Sequence, residues 1–379
     1  MEVVKGFSME EYLTIFVALI YGHVISHFFS NWGSWIQNRK SIRIDIRHLV
    51  LTVAVFVLIV DIWWTIFNRT ALVTANKILF FVSLTVPINL YVLSNILFPK
   101  LESKYNDMSV YFRRNERLIY LLLGVNFLLN ALIAVSIGEI PLFHWENLFR
   151  LIAFTMCLIV SLVNRKVVSL VFLSIGVLLI GLHVFFQGET PTAVGLAGFS
   201  FVDYITVFSA FIYGYVATKF LTGWAFMIQH IRKIYFGKEY FAWTVLVFGL
   251  LSEGWWVSWK REPFAARHLG FFLLSLCAPL VYYMLTTILF PVMRNDPDDD
   301  LTDYFRANEK IFYGLFGILF VVSLTLANTM EEQNNLVTNY FRLGAIGLAI
   351  WAYKSNSALV HRIVLGISWV AFIIHITVN

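Results

Sequence analysis

Long apolar runs broken by short polar segments set the pattern of this chain. The stretches LVLTVAVFVLIVDIWWTIF at 49–67 and ILFFVSLTVPINLYVLSNILF at 78–98 have the length that crosses a hydrocarbon core of roughly 30 Å as a helix. Backbone groups in lipid must bond within their own segment, so each such run predicts a helix and none a strand. Six runs fall in the first half, at 11–30, 49–67, 78–98, 118–137, 148–163 and 167–187, and six counterparts lie between 203 and 377. The predicted fold class is all-α, a polytopic membrane protein of about twelve transmembrane helices. The fifth and eleventh segments are the shortest, about 15 residues each, and predict tilted or re-entrant helices.

The polar positions reveal a second pattern. At an offset of 192, YLTIFVALIYGHV at 12 meets YITVFSAFIYGYV at 204, Asp61-Ile62-Trp63-Trp64 meets Glu253-Gly254-Trp255-Trp256, Pro87 meets Pro279, and Phe98-Pro99 meets Phe290-Pro291. One extra residue shifts YFRRNERLIY at 111 onto YFRANEKIFY at 304. The register then returns to 192, pairing Asn147 and Arg150 with Asn339 and Arg342, and His183 with His375. So long a match predicts a duplicated unit. The expected domains are two tandem repeats of six helices, 1–192 and 193–379. Ser8-x-x-Glu11 and Ser200-x-x-Asp203 read as capping patterns that open the first and seventh helices.

Composition agrees with the hydropathy. Hydrophobic residues make up 59% of the chain and charged residues 13%, with mean hydropathy +0.75, which fits no soluble class. The acidic start MEVVKGFSMEEY lacks the basic region, apolar stretch and cleavage site of a signal peptide. Cys157 and Cys277 occupy apolar runs at positions that do not correspond between the repeats, so both read as buried thiols.

Net charge is +5, and its placement matters more than its sum. Basic residues cluster after helix one (Arg39, Lys40, Arg43, Arg47), after helix three (Lys100, Lys104, Arg113, Arg114, Arg117) and between helices five and six (Arg165, Lys166), and the second half repeats this. By the positive-inside rule those loops are cytoplasmic, both termini face outside, and the repeats are parallel. Lys260, Arg261 and Arg267 fall on the wrong side of this scheme and have no explanation in the sequence.

Ionisable groups within spans are costly and mark candidate sites. Those present in both repeats are Asp61 and Glu253, His183 and His375, and Arg150 and Arg342. All six fall in the predicted outer half of the membrane, where carboxylate, imidazole and guanidinium can relay protons or coordinate a small ion. The competing structural reading is a carboxylate tied to a neighbouring Arg and a His reaching headgroups. A second set, Arg113, Asn115 and Glu116 with Arg306, Asn308 and Glu309, opens helices four and ten and reads as a helix cap or a cytoplasmic gate. Tyr21-Gly22 and Tyr213-Gly214 read as close helix packing, Lys219 as snorkelling, and the Trp residues, among them Trp32, Trp63, Trp64, Trp224, Trp255 and Trp256, as an interfacial belt. His23 and His27 stand four apart, but Tyr215 and Lys219 replace them in the second repeat, so no metal site is expected.

Absent motifs narrow the field. The chain carries no phosphate-binding loop, metalloprotease motif or hydrolase elbow, and its loops are too short for a catalytic domain, so neither an enzyme nor a cofactor is expected. Nucleic acid is not an expected partner. Trp-Trp in helix two, Phe-Pro ending helix three and Tyr-Phe-Arg opening helix four resemble small uncharacterised six-span bacterial membrane proteins, here fused in tandem. That resemblance covers the first four helices of each repeat and implies no activity. The sequence thus points to a transport protein of the plasma membrane, a channel or proton- or ion-coupled carrier whose pathway lies between the repeats. Its expected partners are the bilayer and a small ion or proton. The alternative is a sensor, scaffold or effector working through basic cytoplasmic loops.

Overall fold

A computed structural model describes residues 9–39, 42–74, 77–98, 107–137, 141–163, 166–186, 200–230, 235–291, 300–330 and 336–378. Among these, twelve helices and no strand are present. They are α1 (Met9–Gln37), α2 (Ile46–Thr74), α3 (Lys77–Leu97), α4 (Met108–Ser136), α5 (Trp145–Val163), α6 (Lys166–Phe186), α7 (Phe201–Gln229), α8 (Lys238–Ala265), α9 (Leu269–Leu289), α10 (Leu301–Met330), α11 (Leu336–Lys354) and α12 (Ala358–Val378). Among the described residues, nine helices are long and apolar enough to cross a membrane, and α3 and α6 add the shorter apolar stretches Val82–Leu97 and Val167–Leu182. The two weakest predicted segments part company: α5 is among the nine and α11 is not. Polar side chains at Thr338, Asn339, Tyr340 and Arg342 open α11, and Lys354 closes it.

The chain forms two compact units. The first comprises Met1–Asn31, Asn38–Phe208 and His268–Gly270, the second Trp32–Gln37, Ser209–Arg267 and Phe271–Asn379. Within the first, α4 packs against α3 and α5, and α2 against α3 and α6; within the second, α10 packs against α8 and α11, and α12 against α8 and α11.

Aromatic side chains and buried polar ties hold each unit. In the first, Phe28 meets Phe98 edge-on at 5.1 Å and also touches Phe56. Buried His48 stacks on Phe112, and its Nε2 donates to the Leu97 carbonyl at 2.6 Å. In the second, Phe220 meets Phe290 edge-on at 5.6 Å and touches Phe248, while the Tyr240 hydroxyl donates to the Leu289 carbonyl. The loop before each fourth-type helix is tied back: Met108 N donates to the Arg43 carbonyl, and Leu301 N to the Tyr235 carbonyl, both at 3.0 Å.

Helix starts follow local chemistry, and here one expectation is corrected. Asp107 is the N-cap of α4 and accepts from Ser109 N at 2.8 Å, and Asp300 accepts from Thr302 N at the start of α10. Asn115 and Asn308 lie about two turns inside these helices and donate to the carbonyls of Tyr111 and Tyr304, so neither is a cap. The helices begin before the apolar window does, because an exposed amphipathic turn needs no lipid-matched sequence. At α7 the Ser200 and Asp203 pattern is a reciprocal capping box, with Asp203 N to Ser200 Oγ at 3.1 Å and Ser200 N to Asp203 Oδ2 at 2.8 Å. Its counterpart Ser8 lies outside the described residues.

Three further expectations change. Trp32, Trp63 and Trp64 are buried, not belt-facing; Trp63 stacks on Tyr204 and Phe208, which gives its large ring more contact than lipid headgroups would. Trp255 and Trp256 are exposed as a belt requires. Among the described residues nothing stands within 4 Å of a Cβ added at Gly214, so the close packing expected there is not seen. Among the glycines that do admit a neighbour are Gly33, against Tyr283 and Thr287, and Gly223, against Phe290. Lys219 does not reach outward; its Nζ donates to the Tyr283 hydroxyl at 3.2 Å and lies over that ring.

Candidate functional site

Among the described residues, a set of ionisable groups is gathered in the second unit, and helix geometry assembles it. Trp243 of α8 packs edge-on against Phe312 and Phe316 of α10, fixing α8 by a broad aromatic contact. Two turns further along α8, Gly249 leaves room for the ring of Phe372 on α12: a Cβ at Gly249 would stand 2.7 Å from its Cζ. One turn beyond these contacts, on the same faces, come Glu253 on α8 and His375 on α12. His375 Nε2 donates to Glu253 Oε1 at 2.9 Å, with both side chains largely buried.

Arg342, near the start of α11, is buried and oriented by two neighbours. Its Nη1 donates to Asn339 Oδ1 at 2.7 Å and its Nε to Ser323 Oγ of α10 at 3.1 Å. Glu253, Ser323, Arg342 and His375 all line a cavity of about 490 Å³ between α8, α10, α11 and α12. Glu253, Ser323 and Arg342 also line a smaller cavity of about 60 Å³, together with Tyr213, Ser258, Arg261, Glu262, Ser275 and Tyr282. Pro279 of α9 removes the helical hydrogen bond that the Ser275 carbonyl would accept. Tyr213 hydrogen-bonds to Ser258, and the Tyr282 hydroxyl donates to the Leu250 carbonyl at 2.6 Å.

Arg261, expected only as a misplaced loop charge, and Glu262 were not among the candidate site residues. Both are buried and line the cavity that Glu253 lines, so Arg261 is a cluster member and not a loop charge, which removes part of the charge anomaly noted above. Lys260 and Arg267 are exposed and lie over the rings of Trp256 and Phe264. A signal was present: Arg69 stands at the 192 offset from Arg261, although its side chain lies outside the described residues.

In the first unit only part of the corresponding set falls among the described residues. Arg150 Nη1 donates to Asn147 Oδ1 at 2.7 Å, the arrangement Arg342 has with Asn339, and its Nη2 is 3.5 Å from Glu146. Asp61 is half-buried on α2, and the His183 side chain lies outside the described residues. An apolar cleft of about 90 Å³ lies between α2, α4, α5 and α6, and neither Asp61 nor Arg150 lines it.

At the opposite ends of these helices, Arg113 and Arg306 are exposed while Glu116 and Glu309 turn inward. Arg306 lies 3.8 Å from Asp303. Glu309 pairs with His361, at the start of α12, at 2.9 Å, and the His361 ring contacts Tyr313. His361 has Ser169 at its counterpart position, which bonds to Tyr120, so comparing the repeats could not have selected it. Outside the spans, burial raises the Asp45 carboxyl, but hydrogen bonds from the Arg47 side chain and backbone outweigh it and hold Asp45 below its usual range. Hydrogen bonds from Ser109 do the same for Asp107.

The run of long apolar helices makes the chain a multi-pass α-helical membrane protein. Compared with protein families, curated proteins and solved structures, it matches none.

Proposed function

We propose that this protein is a membrane transport protein, a channel or a proton- or ion-coupled carrier, whose protonatable groups are Glu253 and His375 with Arg342 beside them. The observation that carries this reading is the 2.9 Å contact between Glu253 and His375 on the wall of a cavity of about 490 Å³. A carboxylate and an imidazole in contact can hold and pass a proton, and ionisable groups at membrane depth that line a cavity mark pathways. Arg261 and Glu262 in the adjoining cavity extend the polar surface along α8. In the first unit, Asp61, Arg150 and His183 are the corresponding groups.

The same reading takes the chain as two parallel six-helix repeats, a tandem form of a small six-span bacterial membrane protein, with basic loops cytoplasmic and both termini outside. Contacts recurring at the repeat offset support the duplication. His48 with Leu97 corresponds to Tyr240 with Leu289, and Arg150 with Asn147 to Arg342 with Asn339. The stacked His23 and Tyr91 correspond to the stacked Tyr215 and Tyr283.

The test is proton and ion flux in liposomes for the wild type and for Asp61→Asn combined with Glu253→Gln. Flux by the wild type that falls at least tenfold in the double variant is expected. No flux over a broad solute panel, or flux indifferent to the substitutions, refutes the mechanism and favours a sensor, scaffold or effector acting through the basic loops.

A further inference from the structure

Lys260 and Arg267, the two cations that the loop charges leave unexplained, stand at the end of α8 beside a set of exposed indoles. With 28 residues α8 is about 42 Å long, against roughly 30 Å of hydrocarbon. Lys238 and Glu239 keep its first turn out of the hydrocarbon, where Glu239 pairs with Arg362. About 20 residues from there bring the helix across, so the hydrocarbon ends near Trp259. Trp255, Trp256 and Trp259 then flank the boundary, where indoles are favoured, and Lys260 and the turns after it lie at headgroup depth.

Trp255, Trp256, Trp259 and Lys260 share one helix face, an arc of about 140° at about 100° per residue. The three indoles are 47%, 54% and 52% exposed, and Lys260 and Arg267 are exposed as well. Lys260 Nζ lies 5.9 Å from the centre of the Trp256 ring, and the Arg267 guanidinium carbon 4.3 Å from that of Phe264. A ring offers a cation its face but no lone pair, so the N–H donors still need acceptors. Among the described residues no carboxylate pairs with either cation. Of the acids in this stretch, Glu262 is buried and Glu253 is held by His375, so the exposed strip carries positive charge alone. Nor does the strip belong to the repeat. At the 192 offset Phe67, Asn68 and Ala75 replace Trp259, Lys260 and Arg267, and Trp63 and Trp64 are buried where Trp255 and Trp256 are exposed.

We infer that this strip binds an anionic phospholipid, with Lys260 and Arg267 on its phosphate head and the indoles against its glycerol and upper chains. A zwitterionic phospholipid carries the same phosphate but brings its own ammonium, which these two cations repel. A cation near an anionic lipid head is worth about fivefold in binding, so two give a preference well above tenfold. The inference is independent of ion movement and stands whether or not the protein transports. Its test therefore reads lipid binding and not flux.

Full-length protein purified in a neutral detergent is titrated with pyrene-labelled phosphatidylglycerol and, separately, with pyrene-labelled phosphatidylcholine, reading energy transfer from tryptophan to pyrene. Saturable transfer is expected, with the phosphatidylglycerol midpoint at least tenfold lower. Lys260→Gln and Arg267→Gln should each raise that midpoint about fivefold. The double variant should bring it within about threefold of phosphatidylcholine. Lys260→Arg combined with Arg267→Lys keeps both charges and should bind as the wild type does. Lys310→Gln removes an exposed cation elsewhere and should change nothing. If the double Gln variant loses its monodisperse elution, the two single variants decide. The inference is overturned if phosphatidylglycerol binds no tighter than phosphatidylcholine, if the Gln variants bind it normally, or if Lys310→Gln weakens it as much as they do.

Discussion

The seat of Tyr282 beside Gly254 offers a sharp test of how the site is built. A Cβ at Gly254 would stand 2.9 Å from the Tyr282 hydroxyl, 3.1 Å from its Cε2 and 3.3 Å from its Cζ. That hydroxyl is committed to the Leu250 carbonyl at 2.6 Å and has little freedom to retreat. Gly254→Ala therefore combines three effects. Alanine in a helix interior stabilises by about 1 kcal/mol. Overpacking costs about 1–3 kcal/mol. Losing the Tyr282 hydrogen bond costs about 1 kcal/mol, and more if the Leu250 carbonyl stays dry. The net expectation is a loss of about 2 kcal/mol, or a fall in Tm of ~4–8 °C for a unit of this size.

Tyr282→Phe removes the closest atom and should cost about 1 kcal/mol by itself. The double variant should be no less stable than Tyr282→Phe, because alanine no longer meets a hydroxyl, and the coupling should be about 2 kcal/mol. Thermal unfolding in detergent, followed by tryptophan fluorescence, gives all four values. A Gly254→Ala protein that melts at or above the wild type, or a double variant whose loss is the sum of the singles, would refute the reasoning. The first unit has Ile62 and Leu90 at these positions, both buried, which is the large-small exchange that a shared contact would produce.

Other expectations follow from the same geometry. Gly214→Ala should raise stability by about 0.5–1 kcal/mol in the same melting assay, since nothing stands within 4 Å of the added methyl. Tyr240→Phe should lower it by about 1–3 kcal/mol by removing the donor to the Leu289 carbonyl; an unchanged melt would show that bond to be idle. A double-mutant cycle on Glu253→Gln and His375→Gln should give a coupling of about 1–3 kcal/mol at pH 6, against less than about 1 kcal/mol for the exposed Arg362 and Glu239 pair. For Asp45, whose folded carboxyl lies below its ordinary value of 3.8, the stabilisation is present above that value and is lost as pH falls through the lower folded one. A pH series of melts should therefore separate wild type from Asp45→Asn, wild type higher, well above 3.8, and the gap should close as pH falls below that value and through the lower folded one.

Much of the architecture was legible because lipid imposes so simple a demand. Twelve apolar runs became twelve helices, since a run of about 20 apolar residues has no other way to satisfy its backbone. Boundaries were less legible: α4 begins at Met108 and not near 118, because its first turns are amphipathic and depend on Asp107 as a cap. Offset pairing nominated Glu253, Arg342 and His375, which do line one cavity. It passed over Arg261, whose counterpart Arg69 was counted as part of a loop, and Glu262 and His361, whose counterparts Thr70 and Ser169 carry no charge. Burial separates Trp63 from Trp255, and hydropathy cannot see it, because both sit at the same place in the same pattern.

The two histidines of α12 have a mechanical consequence. His361 is held by Glu309 of α10, and His375, fourteen residues later, by Glu253 of α8. That spacing is about 21 Å of helix. A rod bolted near both tips cannot slide along its axis without shearing both fastenings at once, yet it can swing about either one if the other lets go.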